Sequence, residues 1–136
     1  MTFDLWILLC LAVLTELLTL PPLYARTSVP GGWQWIFHNR DSELQGVAPW
    51  GHRAVRAQQN LVSNLGIYAV VILLANFTGA ANHVTQIAGM VLLVSRLVYT
   101  AVYIAGIPYL RTAVFAIGQI AMLVYVWQIM MHFYAG

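Results

Sequence analysis

Trp50-Gly51-His52-Arg53-Ala54-Val55-Arg56-Ala57-Gln58-Gln59-Asn60-Leu61-Val62-Ser63-Asn64-Leu65 passes without a break into the apolar run Gly66-Ile67-Tyr68-Ala69-Val70-Val71-Ile72-Leu73-Leu74-Ala75. No proline interrupts it, so one helix continues from a polar start into an apolar body. At about 100° per residue, Arg53, Arg56, Asn60, Ser63 and Asn64 fall within an arc of roughly 100°. A polar stripe entering so apolar a segment needs a polar partner.

The solvent for that helix is lipid. The 136 residues are 61% hydrophobic and 7% charged, more apolar surface than a small soluble fold can bury. Four stretches are long enough to cross a hydrocarbon core of about 30 Å at 1.5 Å per residue. They are Phe3 to about Tyr24, about Trp50 to Thr78, about His83 to Ala105, and about Tyr109 to Phe133. Backbone groups in lipid must pair within their own segment, which predicts an all-α integral membrane protein, a single domain of four helices running up and down. The first stretch carries Asp4 where a cleavable signal would have a basic residue, and Glu16 interrupts it, so it reads as retained.

The cations are six arginines, with no lysine. Arg26, Arg40, Arg53 and Arg56 lie in or beside the first connection, Arg111 follows the turn between the third and fourth spans, and Arg96 is in the half of its span nearest that turn. The positive-inside rule then puts the first connection, residues 27–49, in the cytoplasm and both chain ends outside. A formal net charge of +2, with no basic run among aromatics, gives no footing for nucleic-acid binding. The single cysteine, Cys10, has no internal partner for a disulfide, and no Cys/His spacing fits a metal. Gly79 to Asn82 and Gly106-Ile107-Pro108 are tight turns. The aromatics Trp33, Trp35 and Phe37 of the long connection suit a membrane interface, with a lid or substrate rim as the other reading.

A second polar face matches the first. Arg96, Tyr99 and Tyr103, at i, i+3 and i+7, stack on one side of the third span, and Arg111 stands at the mouth of the fourth. An arginine at mid-membrane costs about 2.5 to 3.5 kcal/mol, so it faces a bundle interior or a wet cavity. The competing reading is a set of interhelical hydrogen bonds that fix packing and bind nothing. Against it, three arginine-bearing faces converge on one depth with only Asp41, Glu43 and the distant Glu16 to neutralise them, which points to an anionic guest.

The run His38-Asn39-Arg40-Asp41, then Trp50 through Asn60 and Asn64-Leu65, resembles the signature of the bacterial branch of the MAPEG family, the membrane-associated proteins in eicosanoid and glutathione metabolism. Arg96-Leu97-Val98-Tyr99, Tyr103, Gly106, Pro108 and Arg111 are similar to its second motif. The family includes microsomal glutathione transferases, microsomal prostaglandin E synthase and leukotriene C synthase. The resemblance implies a homotrimer in the bacterial inner (plasma) membrane with glutathione between subunits on the cytoplasmic side. It implies that Arg53 and Arg56 hold glutathione carboxylates, Asn60 bonds its backbone, and Arg96, Tyr99 and Tyr103 complete the site across the interface, with Arg26 peripheral. It also implies that Arg111 is catalytic, stabilising the thiolate that attacks a hydrophobic electrophilic small molecule. A free thiol with pKa near 8.5 is mostly protonated at neutral pH, and bringing it to about 6.5 takes roughly 2.7 kcal/mol, within reach of a guanidinium in a partly dry site.

One position departs from the pattern. Where the family has a glutamate three residues after the asparagine, this chain has Ser63, which carries no charge for the ammonium group of glutathione. Weakened glutathione binding, a different anionic thiol or lipid headgroup, and lost catalysis all remain open. Two other classes compete. Glu16, near the middle of the first span, allows a small proton-coupled transporter of the multidrug type, which the long connection and the arginine faces disfavour. A non-catalytic membrane scaffold is the third.

Overall fold

The computed structural model describes residues 1–135, and these form six helices: α1 (Phe3–Leu17), α2 (Leu20–Thr27), α3 (Gly32–Phe37), α4 (Pro49–Phe77), α5 (His83–Ala105) and α6 (Pro108–Ala135). Four segments are long and apolar enough to cross a membrane: Phe3–Thr27, which joins α1 and α2, then Pro49–Phe77, His83–Ala105 and Pro108–Tyr134. Consecutive spans run antiparallel. The three later spans lie within two residues of the bounds expected from the sequence.

The first span departs from expectation in being broken and longer. Helix α1 stops at Leu17, and α2 restarts at Leu20 and reaches Thr27. Pro21 and Pro22 explain the break, because neither has an N–H to donate back to the preceding turn. Thr19 stitches the joint, its hydroxyl donating to the Glu16 carbonyl at 2.7 Å. A second difference is α3, a short helix inside the connection. Gly31, in the left-handed region at φ 76°, starts it. Trp33 and Phe37, one turn apart, stack outward at 6.3 Å between ring centres, as a surface-lying helix at an interface would present them.

The remaining boundaries follow local chemistry. Pro49 and Pro108 open α4 and α6, where a missing N–H costs nothing. Asn82 caps α5, its side chain accepting from the Val84 and Thr85 N–H groups while the Thr85 hydroxyl accepts from the Asn82 N–H at 2.9 Å. Gly106, at φ 82°, ends α5 and turns the chain into α6.

The core is a column of Leu11, Leu61, Tyr68, Ile72, Leu92 and Tyr125, each almost wholly buried. Outside it, Val70, Ile87, Leu123 and many like them are exposed on every span, the surface a bilayer would cover. Lipid is as apolar as these side chains, so close contact rather than water exclusion holds the helices together. Gly51 lets α2 approach α4, since a Cβ there would lie 2.5 Å from that of Ala25. At the end holding the N-terminus, Tyr125 donates to the buried Asp4 carboxylate at 2.6 Å, Asn82 donates to Gln128 at 2.8 Å, and Thr2 bonds Asn76. Asp4, which in the sequence served only to argue against a signal peptide, is thus a structural link between α1 and α6.

Candidate functional site

The polar stripe of α4 divides in two when the helix is packed. Its buried face, Ala54, Ala57, Leu61 and Tyr68, lies to one side of the stripe. Arg53, Asn60 and Asn64 flank that face and are half-buried, whereas Arg56 and Ser63 point farther from it and are exposed. The five residues therefore serve different neighbours.

Arg53 turns to the end of α5. Its Nε donates to the Ile104 carbonyl at 2.9 Å, and its guanidinium lies against Gly106, where a Cβ would come within 3.1 Å of Cζ. Unpaired carbonyls at a helix C-terminus attract a cation, so Arg53 fastens the turn that follows Tyr103. Asn64 donates to the Asn60 carbonyl at 2.7 Å and accepts from Gln119 at 3.4 Å. The Asn60 side-chain oxygen is buried and has no partner among the described residues. The Ser63 hydroxyl bonds back to the Gln59 carbonyl of its own helix at 2.8 Å.

Asn60 then meets the second motif. With Tyr99, Tyr103, Arg111, Thr112 and Phe115 it lines an open cavity of about 240 Å³ between α4, α5 and α6. The Arg111 guanidinium sits 4.5 Å from the Tyr103 ring centre, and Tyr99 touches Tyr103 edge-on at 5.5 Å and Phe115 at 5.7 Å. A guanidinium held over one ring face can still direct N–H groups at an anion. Thr112 and Phe115 were not singled out from the sequence. Their positions one and four residues after Arg111 were the available signal, since i+4 shares a face.

Arg96 lies behind this cavity rather than in it. It is 1% exposed, with Cζ at 4.8 Å from Phe115, 5.3 Å from Tyr68 and 5.7 Å from Tyr99. None of its three guanidinium nitrogens has a hydrogen-bond partner among the described residues, and the Tyr68 hydroxyl is likewise buried and unpartnered. Gly118 makes room, because a Cβ there would be 2.5 Å from Nη2. The resemblance implies a place for Arg96 in the ligand site; Arg96 does not line this cavity, and its guanidinium lies against the rings of Tyr99 and Phe115, which do.

Arg56 joins Arg26 in a separate cavity of about 320 Å³ at the same end of the bundle, with Trp35, Glu43, Val47, His52 and Gln59. Trp35 holds it together. Its indole N–H donates to the Ser42 carbonyl at 2.6 Å, and the Arg26 and Arg40 guanidiniums each lie 5.4 Å from its ring. Of the three aromatics of the connection, Trp33 and Phe37 are exposed and Trp35 lines this cavity. Glu16 is exposed on α1.

The family whose sequence model matches is described as the MAPEG family, over residues 5–131. No curated protein and no solved structure matches the chain.

Proposed function

From the premise that this chain belongs to the MAPEG family and is an integral membrane protein of the glutathione and eicosanoid metabolism type, we propose that it binds glutathione, or a related anionic thiol, and uses it on hydrophobic electrophiles. The observation that carries this reading is the grouping of Asn60, Tyr99, Tyr103 and Arg111 around one cavity. Such a set offers one fixed cation, two phenols and an amide to a small anion, and opens on the surface where an apolar substrate dissolved in lipid can reach it.

In this proposal the protein is a homotrimer in the bacterial inner membrane, its arginine-bearing end cytoplasmic. The Arg56 and Arg26 cavity of one subunit faces the Arg111 cavity of the next, and glutathione bridges them. Its carboxylates lie on Arg56 and Arg26, its peptide groups on Asn60, and its sulfur near Arg111. Arg53 fixes the turn beneath Tyr103, and Arg96 acts from behind the ring wall.

The chemistry asked of Arg111 is charge stabilisation. The thiol proton leaves to solvent, the guanidinium holds the sulfur anion, and the thiolate attacks carbon and expels a leaving group. With a lipid hydroperoxide the thiolate attacks the O–O bond, and a second thiol completes a disulfide, giving an alcohol and water. Preorganised donors aimed at developing charge contribute on the order of 10² to 10³ in rate. A conjugation assay of the purified protein with glutathione and a chloronitrobenzene tests this. Turnover in the wild type, lowered about 100-fold by Arg111→Ala, is expected. An Arg111→Ala protein that turns over at the wild-type rate, or a wild type that neither turns over nor gains heat resistance from millimolar glutathione, would refute it.

A further inference from the structure

The cavity around Arg26 and Arg56 holds both signs of charge. Glu43, from the connection, lines it with the two guanidiniums, while His52 and Gln59 supply polar groups from α4. Two formal positive charges and one negative among the lining side chains leave a net +1 there, since the neighbouring Arg40 and Asp41, which share a second cavity with Glu43, cancel each other; a monocarboxylate would neutralise it while stranding the Glu43 carboxylate beside a like charge. A ligand bearing two carboxylates and an ammonium group balances all three side chains. An α-amino-acid head, with carboxylate and ammonium on one carbon, is the smallest group that presents both signs at once.

Glu43 is held in this position although it is exposed. On its N-terminal side the adjacent Ser42 carbonyl is bonded to Trp35, the ring against which Arg26 lies. On its C-terminal side Val47 packs at Gly51, where a Cβ would be 3.0 Å from the valine Cγ1, and Gly51 is also the point where Ala25 of α2 meets α4. The loop is therefore tied at one end to α3, whose Trp35 ring lies against Arg26, and at the other to α4, which carries Arg56.

We infer that Glu43 is a ligand-binding carboxylate that takes the ammonium group of an amino-acid head in this cavity, making the site selective for a zwitterionic thiol peptide over an anionic one. The inference rests on the thiol-binding reading above and adds to it the charge pattern of the ligand. Exposure keeps the effect modest, because solvent screens the pair.

The test compares glutathione with glutaryl-cysteinylglycine, the same peptide with hydrogen in place of the amino group, by calorimetry on the full chain in detergent. The wild type should prefer glutathione by about fivefold, the scale of one solvent-screened charge-assisted hydrogen bond. In Glu43→Gln the ratio of the two affinities should fall to near one, and Glu43→Asp should restore part of it. Because Glu43 is exposed, these variants are expected to fold, and their unfolding curves check it. A wild type that binds both peptides equally, or a Glu43→Gln protein that keeps the preference, would overturn the assignment and leave thiol binding intact. Failure of the wild type to bind either peptide would overturn both.

Discussion

At the end of the bundle that holds the N-terminus, Asp4 is paired with Tyr125, Thr2 with Asn76 and Asn82 with Gln128. Toward the other end, all three guanidinium nitrogens of Arg96, the Asn60 side-chain oxygen and the Tyr68 hydroxyl are buried without partners among the described residues. Both regions bury polar groups in an apolar bundle, but only at the first, where Asp4 and Tyr125 bond each other beside two exposed pairs, are these buried groups satisfied. Leaving a buried donor or acceptor unmade costs about 1 to 3 kcal/mol, more for a charged group, so the second end gives up stability that the first secures. Unspent hydrogen-bonding capacity beside an open cavity is what a binding site needs, and a paired network is what a joint needs.

The sharpest way to break this contrast is Arg111→Ala. It should lower the rate of thiolate transfer about 100-fold, the loss seen when one preorganised donor is removed, while leaving the unfolding temperature little changed. Arg96→Met sharpens it further. Burying a cation costs several kcal/mol, and its contacts with Phe115, Tyr68 and Tyr99 return about 2 kcal/mol, so the apolar replacement should raise stability by about 1 to 4 kcal/mol. The same variant should bind glutathione more weakly in calorimetry. A destabilised Arg96→Met protein would mean that the assembled molecule gives Arg96 a partner.

Tyr125→Phe probes the opposite end. It removes a donor from a buried carboxylate and should cost about 1 to 3 kcal/mol in denaturant unfolding, with glutathione affinity unchanged. A change in affinity there would show that the two ends are coupled. The smallest effect belongs to Ser63→Glu. An added exposed carboxylate contributes about 0.2 to 1 kcal/mol, so the protection glutathione gives against heat should rise by only a few-fold in affinity.

The same contrast marks what was legible in the sequence. Hydropathy and length located the later spans within two residues, because a chain in lipid has few ways to satisfy its backbone. The double proline at Pro21 and Pro22 carried the signal for the broken first span, but the apolar run across it masked the break. Helical periodicity grouped Arg53, Arg56, Asn60, Ser63 and Asn64 correctly on one arc. It had no means of showing that the neighbouring helices would divide that arc, sending Arg53 to Ile104 and Arg56 to the cavity of Arg26. The resemblance implies that Tyr99 and Tyr103 reach Asn60 across a subunit interface, with Arg53 in the same site; within one chain Asn60, Tyr99, Tyr103 and Arg111 line one cavity and Arg53 does not. Glu43 was invisible as a cavity residue because loop residues follow no period, and Trp35, for which the sequence left an interface and a rim both open, is held beside it by a hydrogen bond and a ring contact.

By itself, then, the sequence determined that this chain crosses a membrane four times, and that its arginines gather at one end, since composition and spacing act through short-range rules of helix and lipid. Only the tertiary structure decided which arginine became a fastener, which a buried charge and which a cavity wall. A guanidinium reaches several ångströms from its backbone in any of several directions, and the choice among them is made by the helices packed beside it.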